Sequence, residues 1–236
     1  MTNKYKIVRL TETTVSNAFD KEAELLKQVQ EGKLQQALLL WQPSDKTVVL
    51  PASKKWLANP ELVSQLEQDN WLILPRRTGG APVPQTSGVI NLSHIYRAQS
   101  DSKDLIKQGY KSLCDVLKHF FSGFDLEAKT HATPHSYCDG DYNVNLDGKK
   151  IIGTAQRILT TKTQEKIVLV QACILINVNI EELVHPVNLC YQLNQHEERI
   201  KPEVHTCLQQ HCSVLPTTSE LYDRLVQSFI NYQRQT

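Results

Sequence analysis

Residues 136–157 read SYCDGDYNVNLDGKKIIGTAQR. Two short strand-like runs, Tyr142–Leu146 and Lys149–Ile152, flank Asp147-Gly148. An Asp-Gly pair between such runs is the signature of a two-residue hairpin turn, which needs positive φ at both central positions. The stretch therefore predicts a β-hairpin. Strand ends come back together in a hairpin. Cys138, in the Cys-Asp-Gly-Asp turn before the first strand, and Lys150, just after the turn, are thus able to face one site. A thiol in a loop is accessible, and a nearby lysine lowers a thiol's pKa or holds a substrate carbonyl. Taken singly, each has a plainer reading. A cysteine is most often a small buried hydrophobe, and a lysine pair is most often a solvated strand end.

Working outward, Lys166–Asn177 predicts a further strand, entered by a turn near Thr161–Gln164. Upstream, Asp101–Phe121 places Leu105, Ile106, Tyr110, Leu113, Leu117, Phe120 and Phe121 at helical spacing, with Gly123 as terminator. Asn17–Gln30 predicts a helix closed by Gly32, and Pro60–Asp69 one with proline in its first turn. Gln36–Trp41 and Thr47–Leu50 read as a strand pair joined by a turn at Pro43-Ser44-Asp45, and Trp71–Leu74 as another strand. Glu181–Leu183, Lys201–Gln210 and Ser219–Gln233 predict helices. With strands in the middle and helices at both ends, the layout is α+β: a mixed, largely antiparallel central sheet flanked by helices. No linker composition interrupts it, so residues 1–236 read as a single domain.

The chain has 26 basic and 25 acidic residues, a formal net charge of +1, and 40% apolar content. Such a composition is that of a folded globule. The charge balance argues against a nucleic-acid partner, which calls for a basic excess. The longest apolar run, Ile167–Ile176, is interrupted by Gln171 and falls short of the roughly 18 residues a membrane span needs. MTNKYKIVRL lacks the pattern of a secretory signal. The expected compartment is cytoplasmic, where the six cysteines are thiols.

A second informative segment is Arg76–Asn91, RRTGGAPVPQTSGVIN. A strand feeding two arginines and a Gly-Gly pair offers backbone N–H groups close to a ligand, with fixed positive charge beside them. It suits a phosphate, a carboxylate or an acyl carbonyl. It is also compatible with a plain solvated Gly-rich turn, and it is neither a dinucleotide fingerprint nor a P-loop.

Together the two segments, with their S-x-C-x-G-x-Y-(x5)-G-K-K-x-x-G-x-x-Q-R pattern, resemble the lipoate–protein ligase and octanoyltransferase superfamily, related to biotin protein ligases. The likeness runs from the first helix to about Asn177. The pattern is closest to the thiol-dependent branch, which moves octanoyl groups from the glycine cleavage H protein to the lipoyl domains of 2-oxoacid dehydrogenases. The resemblance implies a biotin/lipoate protein ligase-like (class II synthetase-like) fold and catalysis by Cys138 and Lys150. In that branch the cysteine is the acyl-accepting nucleophile and the lysine contacts the acyl carbonyl. It makes Arg76, Arg77, Gly79 and Gly80 the loop lining the acyl pocket, with Val83, Asn91, Gly153, Thr154 and Ala155 as further substrate-binding candidates. Val83, Ile90 and Ile151 are expected to wall an apolar tunnel for the acyl chain.

The implied partners are lipoyl carrier domains, namely the glycine cleavage H protein and E2 subunits, together with an octanoyl or lipoyl group. Transfer of this kind requires no cofactor. A rival reading is an ATP-dependent lipoate–protein ligase using ATP and Mg, in which Lys150 holds lipoyl-AMP. A third is a non-catalytic acyl- or carrier-binding module. Ligases of the superfamily carry a His-Asp-x-Gly-Asn stretch where this chain has Pro84-Gln85-Thr86-Ser87-Gly88. They also commonly have a separate C-terminal accessory domain, which has no counterpart before Thr236. Both departures favour transfer.

The remaining candidates are weaker. His131 and His135 precede Cys138 and read as a polar loop or as a base for it. His205, Cys207, His211 and Cys212, in HTCLQQHC, match no standard zinc spacing. They read as a helix with buried cysteines and surface histidines, and no metal site is expected. Cys114 and Cys173 read as core.

Overall fold

A computed structural model describes residues 5–77, 79–98 and 104–235. Its ten strands and five α-helices form two sheets and their cover. The large sheet has the order β1 (Tyr5–Thr13), β2 (Gln36–Pro43), β6 (Val89–Arg97), β10 (Lys166–Leu175), β9 (Lys149–Thr160), β8 (Val144–Leu146), β7 (Ala128–Thr130). Only the β1–β2 pair is parallel; every other neighbour pair in this sheet is antiparallel. The small sheet has the order β4 (Leu72–Arg76), β3 (Thr47–Pro51), β5 (Val83–Gln85). The mixed, mostly antiparallel α+β architecture is the one the sequence predicts.

Both faces of the large sheet are covered, which is why β2 (QALLLWQP) and β10 (KIVLVQACIL) are nearly continuous apolar runs rather than alternating ones. On one face α1 (Val15–Gln30), capped by the Thr14 hydroxyl accepting from the Asn17 N–H, packs Val15, Ala18, Leu25 and Val29 onto Ala37, Leu39, Trp41, Ile95 and Leu169. On the other face α3 (Leu105–Ser122) and α5 (Thr218–Gln235) seal the main core. There Leu113, Leu117, Phe120 and Phe121 meet Leu40, Ile90, Leu92 and Ile152. α2 (Pro60–Gln68) and α4 (Ile180–Leu193) back the small sheet through Leu62, Leu66 and Cys190. Among the described residues no helix is long and apolar enough to cross a membrane.

Several local expectations change. Gln36–Trp41 and Thr47–Leu50 are strands, but not a hairpin pair: β2 joins the large sheet and β3 the small one. The short Pro43–Asp45 link turns the chain between sheets, where the apolar runs alone suggest direct pairing. Lys201–Gln210 is not a helix. Pro202 starts one 3₁₀ turn, His205 and Cys207 are extended, and a second 3₁₀ turn covers Leu208–His211. The extended residues are held by the Thr206 N–H donating to the Lys150 carbonyl. β1, β5, β6 and β7 carry no sequence expectation. β9 runs on to Thr160, well past Ile152, because its Gly153–Arg157 stretch pairs along β10. The predicted helix start at residues 101–103 lies outside the described residues.

Candidate active site

The hairpin forms as the sequence requires. Asp147 (φ 49°) and Gly148 (φ 76°) both take positive φ, and β8 returns into β9 with Asn145 opposite Lys150. Lys150 is completely buried. Its Nζ donates to the carbonyls of Tyr137 and of Cys138 (3.3 Å) and lies 4.4 Å from the centre of the Tyr137 ring. The ammonium therefore grips the backbone of the loop that carries the thiol. Burial pulls its pKa down to about 8, against the opposing pull of Cys138, Cys173 and Asp139.

That loop is braced throughout. The Thr133 N–H donates to Asp139 (2.6 Å), the Thr133 hydroxyl to Asn145 (2.6 Å), and Asn145 Nδ2 to the His131 carbonyl (3.0 Å). The bracing holds half-buried Cys138 at φ 49°, a left-handed conformation uncommon outside glycine.

The Arg-Arg-x-Gly-Gly loop meets the thiol from the small sheet. Arg76 donates to the carbonyls of Val49 (3.0 Å), Gly79 (2.9 Å) and Ala81 (2.7 Å), so its guanidinium shapes the loop. Arg77 is exposed. The two glycines differ. A Cβ on Gly79 meets nothing, whereas one on Gly80 (φ +108°) sits 2.7 Å from Cys138 Sγ and 3.1 Å from Arg76. Gly80→Ala is expected to displace the thiol and to cost roughly a hundredfold in any reaction of Cys138, the scale of an ångström misplacement at a reacting group. Gly79→Ala is expected to change little. Alkylation rates of Cys138 in the two variants, read by peptide mass, check this.

Cys138 stands between two cavities. The first, about 600 Å³ including its open mouth, lies between the large sheet, α1 and the small sheet. Its floor is the sheet face of Asn91, Gly153, Ala155 and Cys173, and Thr154 borders it. Its walls are Trp41 and Phe19 on one side and Val49, Val83 and Gln85 on the other. Asn91 and Gln85 exchange a reciprocal amide pair (2.6 and 3.1 Å), which satisfies both in this largely apolar space. Ile90 and Ile151 do not border it; they belong to the core under α3 and α5. The second cavity is lined by Lys55, Trp56, Asp139, Glu198 and Arg199 among others, and opens on the other side of the thiol.

Two residues at the centre, Tyr137 and His205, are ones the sequence does not assign to this site. The Tyr137 ring, buried, stacks on His205 (5.0 Å, 11°), which arrives from the 3₁₀ segment. His205 is buried, not a surface histidine. Its Nδ1 bonds the Lys201 carbonyl (2.9 Å), so Nδ1 bears the proton. Burial, with Lys150 adding to it, pushes its pKa down to about 4 and keeps it neutral. Tyr137 Oη, Ser136 Oγ, Arg76 Nε and His205 Nε2 are buried polar atoms without a protein partner. Their gathering around one thiol is the kind of frustration that binding sites carry. His131 and His135 are exposed, and His131 Nδ1 turns to the Ala132 carbonyl.

The sequence family described as lipoyl protein ligase A/B catalytic domain matches residues 15–230. The chain belongs to this family. Its similarity to curated relatives is partial. It is 31% identical over 114 residues to an octanoyl-GcvH:protein N-octanoyltransferase of Geobacillus kaustophilus, covering 48% of this chain and 40% of the relative. To its namesake in Anoxybacillus flavithermus it is 30% identical over 143 residues, covering 60% and 50%. A lipoyl-GcvH:protein N-lipoyltransferase of Listeria monocytogenes is 28% identical over 95 residues, covering 40% and 34%. The matched stretch thus spans half or less of these relatives' length.

Among solved structures, lipoate-protein ligase A bound with ATP superposes with a TM-score of 0.73 at 16% identity, covering 99% of this chain and 86% of the other. A bipartite lipoate protein ligase of Thermoplasma acidophilum, from an archaeal lipoylation system with its E2 lipoyl domain, gives 0.66 at 16%, covering 98% and 84%. Both are likenesses of fold, and they place this family member in the lipoate ligase architecture.

Proposed function

We propose that this lipoyl protein ligase A/B-type domain is an acyltransferase that carries an octanoyl or lipoyl group on Cys138 and delivers it to a lysine of a lipoyl carrier domain. The observation that carries the reading is that Cys138 lines both a largely apolar cavity and a second one bordered by charged side chains. The acyl chain lies in the first. The carrier's lysine reaches the thiol from the second, where Asp139 and Glu198 favour an amine. Cys138 attacks the acyl carbonyl; the S–C bond forms, the amide C–N bond breaks, and the donor lysine leaves as its amine, taking a proton. The acceptor lysine then attacks the thioester, and the thiol is regained. Lys150 positions the Cys138 loop through its two carbonyl contacts, and Gly80 leaves room at the sulfur.

The relatives named as GcvH-dependent transferases support GcvH as donor, and an E2 lipoyl domain is the proposed acceptor. The reaction needs no cofactor. Where ligases of the superfamily place His-Asp, this chain offers Pro84 and a Gln85 amide already paired with Asn91, a poor donor set for ATP-bound Mg. The cytoplasm is the proposed compartment.

Incubation with octanoylated H protein is expected to add one octanoyl mass to the protein, mapped to the Cys138 peptide, with no ATP present. Acylation of apo lipoyl domain that requires ATP and survives Cys138→Ala makes the protein a ligase instead. Acyl-domain binding without turnover makes it a binding module.

A further inference from the structure

The floor of the apolar cavity is built in rows fixed by strand register. Trp41, Asn91, Cys173 and Gly153 stand abreast in the first row, near Cys138. Two residues farther along each strand, about 7 Å on, stand Ser93, Gln171 and Ala155. The row after that, Ile95, Leu169 and Arg157, no longer borders the cavity. The cavity therefore ends at the second row.

This end is polar. Ser93 Oγ and Gln171 Nε2 (2.7 Å) both donate to the same oxygen of Glu22, which reaches down from α1. Phe19, one helical turn before Glu22, lines the cavity beside Trp41 of the first row, its ring edge-on to the indole at 6.1 Å. The three-way contact thus ties the helix to the sheet where the open space stops. Removal of the Glu22 carboxyl from water raises its pKa, a cost its two donors offset only in part. A leucine there fills the gap between helix and sheet without that cost, so packing alone does not call for a carboxyl.

We propose that Glu22, Ser93 and Gln171 form an end stop that fixes the length of the acyl chain. The inference rests on the acyl-transfer reading of the cavity. A saturated medium-length chain runs from Cys138 along the first row and ends with its methyl group against the second. A longer chain must break the Glu22 contacts and lift α1. Chain-length preference is then set by residues that touch neither the thiol nor the carrier protein.

Binding of free fatty acids tests this without any transfer step. Saturated acids of increasing even chain length are titrated against the protein, with Trp41 in the cavity wall as fluorescence reporter. In the wild type, affinity is expected to rise with length, about fourfold per added methylene from the ~0.8 kcal/mol of a buried CH₂. It is then expected to drop at least tenfold within two further carbons. In Glu22→Ala and in Ser93→Ala, the latter in case the first fails to fold, the optimum moves to longer acids by two carbons or more. An unchanged optimum in either folded variant overturns the stop. So does tighter binding of an equally long acid with a hydroxyl at its tip, which makes the trio a recogniser of polar ends. No fatty-acid binding at all overturns the acyl reading of the cavity itself.

Discussion

Cys138→Ala is expected to abolish the acyl adduct and to lower transfer by about a thousandfold or more, the loss typical of removing a nucleophile from an otherwise intact site. The fold is expected to survive with a melting point within a few degrees of wild type. What holds the loop is backbone, not sulfur: Lys150 bonds the carbonyls of residues 137 and 138, and Thr133, Asp139 and Asn145 brace the rest. Alanine keeps all of these contacts. It also bears the left-handed φ at a cost close to that of cysteine, since the penalty arises at Cβ.

Cys138→Ser is expected to be equally inactive. A hydroxyl needs a base to become a nucleophile, and among the described residues no imidazole is hydrogen-bonded to the Cys138 side chain: His131 Nδ1 bonds the Ala132 carbonyl, and His205 stacks on Tyr137. Cys173 lines the same cavity, but burial pushes its thiol up to about 12, so Cys173→Ala is expected to leave the adduct intact. Intact mass and lipoyl-domain acylation across the three variants decide the assignment. An adduct that persists in Cys138→Ala moves the nucleophile to another residue.

The neighbourhood of Cys138 and Lys150 is legible in the sequence because it is local. Asp147-Gly148 dictates one turn type, and that turn returns the lysine beneath the loop. What Lys150 touches is not legible. The reading by resemblance aims it at the acyl carbonyl, whereas the loop path brings the Tyr137 and Cys138 carbonyls within its reach. Arg76 is similar. A fixed charge beside two glycines suggests a ligand, and three backbone carbonyls of its own surroundings take up its donors.

Contacts between distant segments leave no trace in periodicity. His205 lies in a stretch whose apolar spacing suits a helix, and only its pairing beside Lys150 keeps it extended. Glu22, Ser93 and Gln171 sit on three separate elements, and each looks unremarkable in its own pattern until the strand register is known. The same holds for the split of β2 and β3 between sheets, which no feature of either run announces.

Lys150→Met is expected to lower transfer by about a hundredfold or more while leaving stability at neutral pH near that of wild type. Methionine matches the lysine stem in length and flexibility, so little space opens. Two effects on stability oppose each other. The Tyr137 and Cys138 carbonyls lose their donor, at ~1–3 kcal/mol for a buried group left unpaired. Against this, the burial of an ammonium disappears. Its pKa in the fold, about 8, lies below the ordinary 10.5, so the fold disfavours the charged form. That penalty is on the order of 3 kcal/mol, from the size of the shift.

The sign with pH follows. The unfolded chain holds the extra proton between about pH 8 and 10.5, so the Lys150 contribution to stability rises across that window and is lost as pH falls through 8. Denaturation of both proteins at pH 7 and pH 10 reads it as a difference: wild type gains relative to Lys150→Met. Activity moves the other way. Above about pH 8 the grip on the Cys138 loop loses its charge assistance, so wild-type acyl-enzyme formation is expected to acquire a falling limb there that Lys150→Met lacks. A lysine that were only structural would show the stability difference without the kinetic limb. A limb that remains in the variant belongs to another group and removes Lys150 from the mechanism.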